Sequence, residues 1–251
     1  MKMMIYSELA EVYDYLMEDI DYEEWADYLA ELLAYHKVSG RRVLDLGCGT
    51  GSISLLLAQR GFDLVCVDFS LDMLAIAEQK FREHGFKIPI YRQDISELYL
   101  EKPVDVVIST FDTLNYILQV EDLIKTFQQV HKVLKNEGIF IFDLNTEYKL
   151  ARILGNNTYT YNTEDIVYIW DNEYDPKSKL CHMYLTFFKL EEKTGKYFRF
   201  DEIHTQRLYT EKEITELLRR CGFSLLGVFD QLKFIPPEPE SEKVFFVARK
   251  I

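Results

Sequence analysis

The densest chemical pattern in the chain is Asp45-x-Gly47-x-Gly49-x-Gly51. Residues 43–46 form an apolar run interrupted by a single acid, Asp45, after which glycine takes every second position. Beyond Ser52, residues Ile53, Leu56, Leu57 and Arg60 fall on helical spacing. Strand, glycine loop and helix in that order make a nucleotide-binding start. The glycines allow a tight turn and a close approach of backbone N–H groups to a ligand. The helix N-terminus adds unsatisfied donors and positive potential. A dinucleotide fingerprint would read Gly-x-Gly-x-x-Gly, and its last glycine would fall on Ser52. Asp45, two residues ahead of the first glycine, has no task in a pyrophosphate turn; a carboxylate there suits a ligand with a cationic end and no phosphate.

In an open α/β sheet, ligands bind beyond the carboxyl ends of the strands. The first strand delivers Gly47 to Gly51 and the second Asp68, a strand-end acid with little core packing that can accept hydrogen bonds from both hydroxyls of a ribose. Phe69 follows it, and Met73 lies on the first turn of the next helix, where it can pack on a base. The third strand delivers Gln93, Asp94 and Ile95, and the fourth Thr110, Phe111 and Asp112, then Asn115 and Tyr116.

With these residues in place, the chain resembles the class I S-adenosylmethionine-dependent methyltransferases of the small-molecule branch, whose first motif has the form found at 45–51. The resemblance implies S-adenosylmethionine as cofactor, held by Asp45, Gly47, Cys48, Gly49, Gly51, Asp68, Phe69, Met73, Gln93, Asp94, Ile95, Thr110 and Phe111. It implies that Asp94 meets the adenine amino group, that Ile95 flanks the ring, and that the fourth edge faces the methyl group and its acceptor. Tyr13-Asp14-Tyr15-Leu16 ahead of a helix containing Tyr22 looks like the N-terminal region of small-molecule N-methyltransferases, with Tyr13 and Tyr22 as an aromatic flap over the cofactor. The fourth edge is not Asp/Asn-Pro-Pro-Tyr, the motif of enzymes that methylate exocyclic amines of bases or glutamine side chains. Asp112, Asn115, Tyr116, Tyr161 and Trp170 are the candidate acceptor-binding residues. The sulfonium already activates the methyl group, so alignment is the protein's main task. Asp112, His182 and His204 are candidate bases, and none is assigned as catalytic. The reading is methyl transfer to a small molecule at nitrogen, with oxygen or carbon transfer on the same fold, or binding without turnover, as alternatives.

The elements that must position these groups alternate in type. Helical patterns cover 7–17 and the stretch after Asp21, where Glu24 completes a capping box. Strands at 43–46, 63–67, 88–92, 104–109 and 138–143 alternate with helices at 52–60, 71–84 and 120–134, which predicts a doubly wound, mostly parallel sheet. From Thr158 to Tyr209 the period becomes strand-like and aromatic, with runs at 166–174, 180–190 and 197–209 that predict an antiparallel meander. Thr210 caps a helix over 211–221, and strands at 224–230 and 244–249 close a seven-stranded sheet. This divides the chain into an N-terminal region and cofactor core (1–144), a β lid (145–209) and a last part of the core sheet (210–251).

The chain has 251 residues, is 48% hydrophobic and carries a net charge of −13. That balance disfavours nucleic acid, which needs a basic footprint, and anionic membrane surfaces. No apolar run approaches 18 residues, and nothing resembles a signal peptide, so the expectation is a cytoplasmic protein acting on a small-molecule acceptor. Cys48, Cys66, Cys181 and Cys221 form no Cys-x-x-Cys pair, so no metal site is expected.

Overall fold

The computed structural model describes residues 10–251. Two helices come first, α1 (Ala10–Leu16) and α2 (Tyr22–Tyr35); residues 7–9 of the expected first helix lie outside the described residues. The alternating region then runs β1 (Arg42–Leu46), α3 (Ser52–Gln59), β2 (Asp63–Asp68), α4 (Leu71–Glu83), β3 (Ile90–Arg92), β4 (Val104–Ser109), α5 (Val120–Val133) and β5 (Leu134–Asn145). After it come β6 (Thr158–Asn162), β7 (Ile166–Asp175), β8 (Leu180–Glu191), β9 (Lys196–Arg207), α6 (Glu211–Arg220), β10 (Phe223–Asp230) and β11 (Lys243–Lys250).

The sheet order is β10-β11-β5-β4-β1-β2-β3. β1 to β5 pair in parallel, while β11 runs antiparallel to both β5 and β10. The strands are bounded by residues that stop or start helices. The Asp21 carboxylate accepts the Glu24 N–H, the Ser70 hydroxyl accepts the Met73 N–H, and Thr210 forms a reciprocal capping box with Glu213. Each such cap stabilises its helix by about 1 kcal/mol.

Side chains alternate across β1. Leu44 and Leu46 face the layer built with Phe127, Phe142 and Leu218 from α5, β5 and α6. Val43 faces the opposite layer, where Trp25 and Leu29 of α2 and Ile53 and Leu57 of α3 pack. Burying each such side chain contributes roughly 1.5–3 kcal/mol. Covering both faces makes β1 and β4 mostly apolar, each broken by one acid, Asp45 and Asp105.

β6 to β9 form a separate four-stranded antiparallel sheet. It contains one strand more than the three runs expected from sequence, because β6 (Thr-Tyr-Thr-Tyr-Asn) is polar and mostly exposed. A π-helical turn at Tyr148–Leu154 leads into it and buries Leu150 and Leu154 against Cys181, Met183 and Leu208. β5 starts well before the expected position 138: Leu134 already pairs with Val104, and a bend with Glu137 at φ 61° precedes the regular ladder from Ile139.

Candidate functional site

The β1 exit folds back on β2. Gly47 and Cys48 both donate their N–H to the Val67 carbonyl, at 2.8 and 3.1 Å. Gly47, Gly49 and Gly51 all hold positive φ, 79°, 54° and 74°, a region that costs any other residue roughly 1–2 kcal/mol. Asp68 ties this loop to the next. One carboxylate oxygen accepts the Gly49 N–H at 2.9 Å and the other the Ser70 N–H at 2.8 Å. Sequence reasoning treats Asp68 as an acid serving the ligand alone; it also shapes both loops. Its carboxylate retains lone pairs for further donors. Burial holds its pKa above the usual carboxylate value despite those backbone bonds.

Asp45 is nearly inaccessible. One oxygen accepts the Ser54 hydroxyl at 2.5 Å, and Ser54 in turn accepts the Cys66 thiol at 3.0 Å. The other oxygen, Oδ1, is buried without a partner. Burial pushes the Asp45 pKa up to about 7, against the lowering effect of Ser54 and helped by the nearby Asp68. A buried, unsatisfied carboxylate oxygen costs free energy unless a donor or cation reaches it.

These groups open on a cavity of about 1190 Å³ that runs from Asp94 and Ile95, past the glycine loop, to the inner face of the four-stranded sheet. Its walls include Tyr13, Tyr22, Asp45, Gly47, Cys48, Gly49, Asp68, Phe69, Met73, Asp94, Ile95, Thr110, Phe111, Asp112, Tyr116 and Trp170. Asp94 caps its own loop by accepting the N–H and hydroxyl of Ser96. Tyr13 and Tyr22 line the cavity, and burial holds both phenols above the ordinary tyrosine pKa, so they remain protonated.

α1 is pinned to the glycine loop by contacts that no local pattern announces. The Asp14 carboxylate accepts the Thr50 hydroxyl at 2.6 Å and pairs with Lys80 at 2.7 Å, and Lys80 also donates to Ser52 at 2.8 Å. The other side of the same helix sends Val12 into a cluster with Ile166, Phe187 and Phe200 of the four-stranded sheet.

At the β4 exit, Phe111 and Asp112 take consecutive left-handed conformations, φ 56° and 54°. Phe111 stacks on Trp25, with centroids 4.2 Å apart. One oxygen of Asp112 accepts Lys243 Nζ at 2.6 Å and the other accepts the Gln206 amide; Lys243 also donates to Asp143 at 2.7 Å. Both Asp112 oxygens are therefore engaged, which removes it as a ready base. His182 hydrogen-bonds to Thr205 and is not part of the wall. His204 does line the cavity, edge-on to Tyr116 at 5.8 Å, and burial lowers its pKa to about 4.

Four residues expected at the site stand outside the cavity wall. Asn115 is completely buried: its amide donates to the Arg207 carbonyl at 2.9 Å and accepts the Asn145 N–H at 3.0 Å, so it brackets β9 and β5. The Gln93 side chain closes a local loop by exchanging two hydrogen bonds with the Tyr99 backbone. Tyr161 stacks on Tyr168 and reaches Glu18. Gly51 caps α3, and its Cα hydrogen faces Phe81 and Ala77. Among the described residues no group of His, Cys, Asp and Glu could hold a metal ion, and no helix is long and apolar enough to cross a membrane.

A ligand with an adenosine body and a cationic amino-acid end fits this wall on two counts. Asp45 offers an unsatisfied carboxylate oxygen at the loop, and a Cβ built on Gly49 meets no atom beyond its chain neighbours within 4 Å. A first prediction concerns Asp68→Asn. The neutral amide can accept only one of the two loop N–H groups and presents its NH2 to the other. Losing hydrogen bonds to a charged acceptor costs roughly 1.5–3 kcal/mol each. S-adenosylhomocysteine affinity by calorimetry should therefore fall at least about tenfold. The melting temperature should fall as well, a loss that an acid serving the ligand alone would not show.

Comparison with known proteins agrees with this geometry. Residues 43–138 match the family described as a methyltransferase domain. YqeM of Bacillus subtilis (strain 168), which carries a methyltransferase name, is 36% identical over 249 residues, covering 98% of each chain. A crystal structure of an S-adenosylmethionine-dependent methyltransferase from Clostridium acetobutylicum ATCC 824 superposes with a TM-score of 0.89 at 34% identity, over 98% of both chains. The sugar N-methyltransferase KedS8 from Streptoalloteichus sp ATCC 53650 shares the fold at TM-score 0.77 and 17% identity, over 95% of this chain and 92% of its own. With its glycine loop, its buried Asp45 and relatives matched over nearly their whole length, the chain belongs to the S-adenosylmethionine-dependent methyltransferases.

Proposed function

We propose that this enzyme transfers the methyl group to the nitrogen of a small, cationic amine. One observation carries the reading. The cavity wall carries six acids, Asp45, Asp68, Asp94, Asp112, Asp122 and Glu242, against two lysines; Lys149 with Glu242 and Lys243 with Asp112 offset each other, which leaves an excess of acids. Such a wall concentrates cations and repels carboxylates and phosphates. KedS8, a sugar N-methyltransferase, supplies a parallel on the same fold.

In this proposal Asp45 takes the amino-acid end of the cofactor and Asp68 the ribose hydroxyls. Asp94, Ile95 and Met73 surround the adenine, and the fourth-strand turn at Thr110 and Phe111 borders the methyl group. The inner face of β7 to β9, with Trp170, Met183 and His204, covers the acceptor and excludes water. The cofactor supplies an activated methyl group. The protein holds the acceptor in line at near-attack distance, which contributes roughly 7–11 kcal/mol in well-aligned cases. The acceptor, bound as a cation, gives a proton to solvent before the transfer; its neutral form attacks, and the methylated amine leaves as an ammonium ion. Burial keeps His204 unprotonated above about pH 4, so in the acceptor region it serves as a neutral polar wall group and not as the proton acceptor.

The test is a small-metabolite extract incubated with methyl-labelled S-adenosylmethionine, with products identified by mass and fragmentation. The expected product carries the label on nitrogen. Labelled products carrying the methyl group only on oxygen or carbon overturn the proposal.

A further inference from the structure

The β4 exit holds two adjacent non-glycine residues, Phe111 and Asp112, in the left-handed region. Backbone strain of this kind persists only where surrounding contacts over-determine it. Here those contacts converge on one cation. Lys243, at the start of β11 and almost fully buried, sits between Asp112 and Asp143, at 2.6 and 2.7 Å. Asp143 Oδ2, the oxygen that receives Lys243, also accepts the Asp112 N–H at 2.8 Å. The same ammonium lies 5.8 Å from the ring of Trp25, on which Phe111 stacks. Lys243 therefore touches both supports of the strained pair, the carboxylate of Asp112 and the aromatic platform under Phe111.

The second oxygen of Asp112 is taken by Gln206 of β9, whose carbonyl in turn accepts the Asn145 amide at 2.8 Å. Gln206 belongs to the four-stranded sheet, while Asn145 ends β5 of the main sheet. Asp112 is thus the joint where the cofactor-edge turn, β11 and the acceptor-side sheet meet. Without the cation, Asp112 and Asp143 are two carboxylates around one site with nothing between them to offset their mutual repulsion.

We infer that Lys243 is a positioning residue for methyl transfer: it clamps the Phe111–Asp112 turn and, through Asp112 and Gln206, sets the seat of the four-stranded sheet over the acceptor. This rests on the methyl-acceptor side of the cavity lying between that turn and that sheet. An ångström of misplacement there lowers the rate without contacting the cofactor.

The test compares Lys243→Met, Lys243→Arg and Gln206→Leu as full-length proteins. Gln206→Leu unhooks the sheet without exposing a buried charge, so it remains informative if Lys243→Met folds poorly. Amide hydrogen exchange reports the clamp. In Lys243→Met, exchange should rise at least about tenfold at 110–113 and at 203–207, the effect of losing a hydrogen bond to a charged group. It should return toward wild type in Lys243→Arg. Gln206→Leu should raise exchange at 203–207 alone. S-adenosylhomocysteine affinity should stay within about threefold of wild type in all three variants, less than the loss of one hydrogen bond at its own site would cause. Label transfer to a small-metabolite extract at saturating cofactor should fall in Lys243→Met and Gln206→Leu and recover in Lys243→Arg.

Folded Lys243→Met with wild-type exchange at 110–113 overturns the inference. So does raised exchange at both sites with undiminished transfer. A wild-type protein that labels nothing in the extract counts against the small-molecule reading, and the exchange comparison still decides the clamp.

Discussion

Cofactor affinity should weaken by about tenfold per pH unit below neutrality, and Asp45→Asn should abolish that dependence. The reasoning starts from burial. Asp45 is 1% exposed, its Oδ1 has no partner, and its pKa is pushed up to about 7. In the ligand-free protein the carboxyl is therefore largely protonated at pH 6. A cationic amino-acid end placed against Oδ1 favours the ionised form and drives the pKa back toward the ordinary carboxylate range, so binding releases a proton. Affinity then rises with pH up to about 7 and levels above it.

The stability of the ligand-free fold has the opposite sign. A carboxyl whose folded pKa is raised holds its proton more tightly when folded, so its contribution to stability declines as pH climbs from the carboxylate range to about 7. Asp45→Asn keeps an acceptor for Ser54, lacks the ionisation, and should be at least as stable as wild type at pH 8. Its S-adenosylhomocysteine affinity at pH 8 should be weaker by roughly 10- to 100-fold, the effect of losing a hydrogen bond to a charged group. Calorimetry of both proteins from pH 5.5 to 8 decides the matter. Parallel pH curves for wild type and Asp45→Asn would remove Asp45 from the ligand's cationic end.

What could be read from the sequence was local. Val43 to Gly51 announces its strand, turn and helix within a few residues, because an apolar run, alternate glycines and a helical stripe are each short-range signals. Asp68 is legible for the same reason, as the first polar residue after a buried run; Asp94 follows a short strand whose Tyr91 and Arg92 are exposed, and only the family resemblance marks it. The side of the cavity facing the four-stranded sheet is built differently. Lys243 reaches Asp112 across 131 positions and Gln206 reaches it across 94, and neither stands out in its own strand. Asn115 illustrates the converse error. Its place just beyond the fourth strand suggests a ligand contact, yet its amide is consumed by two backbone groups from β5 and β9, 30 and 92 positions away. Position along the chain identifies which residues arrive at the sheet edge; which of them face the cavity depends on partners brought in by the tertiary fold. β6 was not separable as a strand because its side chains alternate between two polar types with little burial, and its pairing with β7 supplies the order that its composition does not.

Alanine at two neighbouring glycines should produce opposite failures, and this contrast tests how the loop meets its ligand. At Gly51, φ is 74° and an added Cβ would lie 2.5 Å from Phe81 Cζ and 3.1 Å from Ala77 Cβ. Phe81 is buried where α4 packs on α3 and β2, so it has little room to retreat. Overpacking costs roughly 1–3 kcal/mol and the left-handed conformation roughly 1–2 more. For a chain of this size Gly51→Ala should lower the melting temperature by roughly 5–20 °C. At Gly49, φ is 54° and the added Cβ meets nothing within 4 Å. Only the conformational cost remains, so Gly49→Ala should melt within a few degrees of wild type. The same methyl group, however, projects from a loop that lines the cavity, where backbone must approach the ligand closely. Its S-adenosylhomocysteine affinity should fall by at least about tenfold, since a methyl group in a filled contact forfeits several packing interactions and displaces the ligand. Gly51→Ala, where it remains folded at low temperature, should bind with a smaller loss, because its new atoms point into α4 and away from the cavity. Melting curves and calorimetry on both variants separate the two roles. Wild-type affinity in a folded Gly49→Ala protein would mean that the ligand does not lie against this turn.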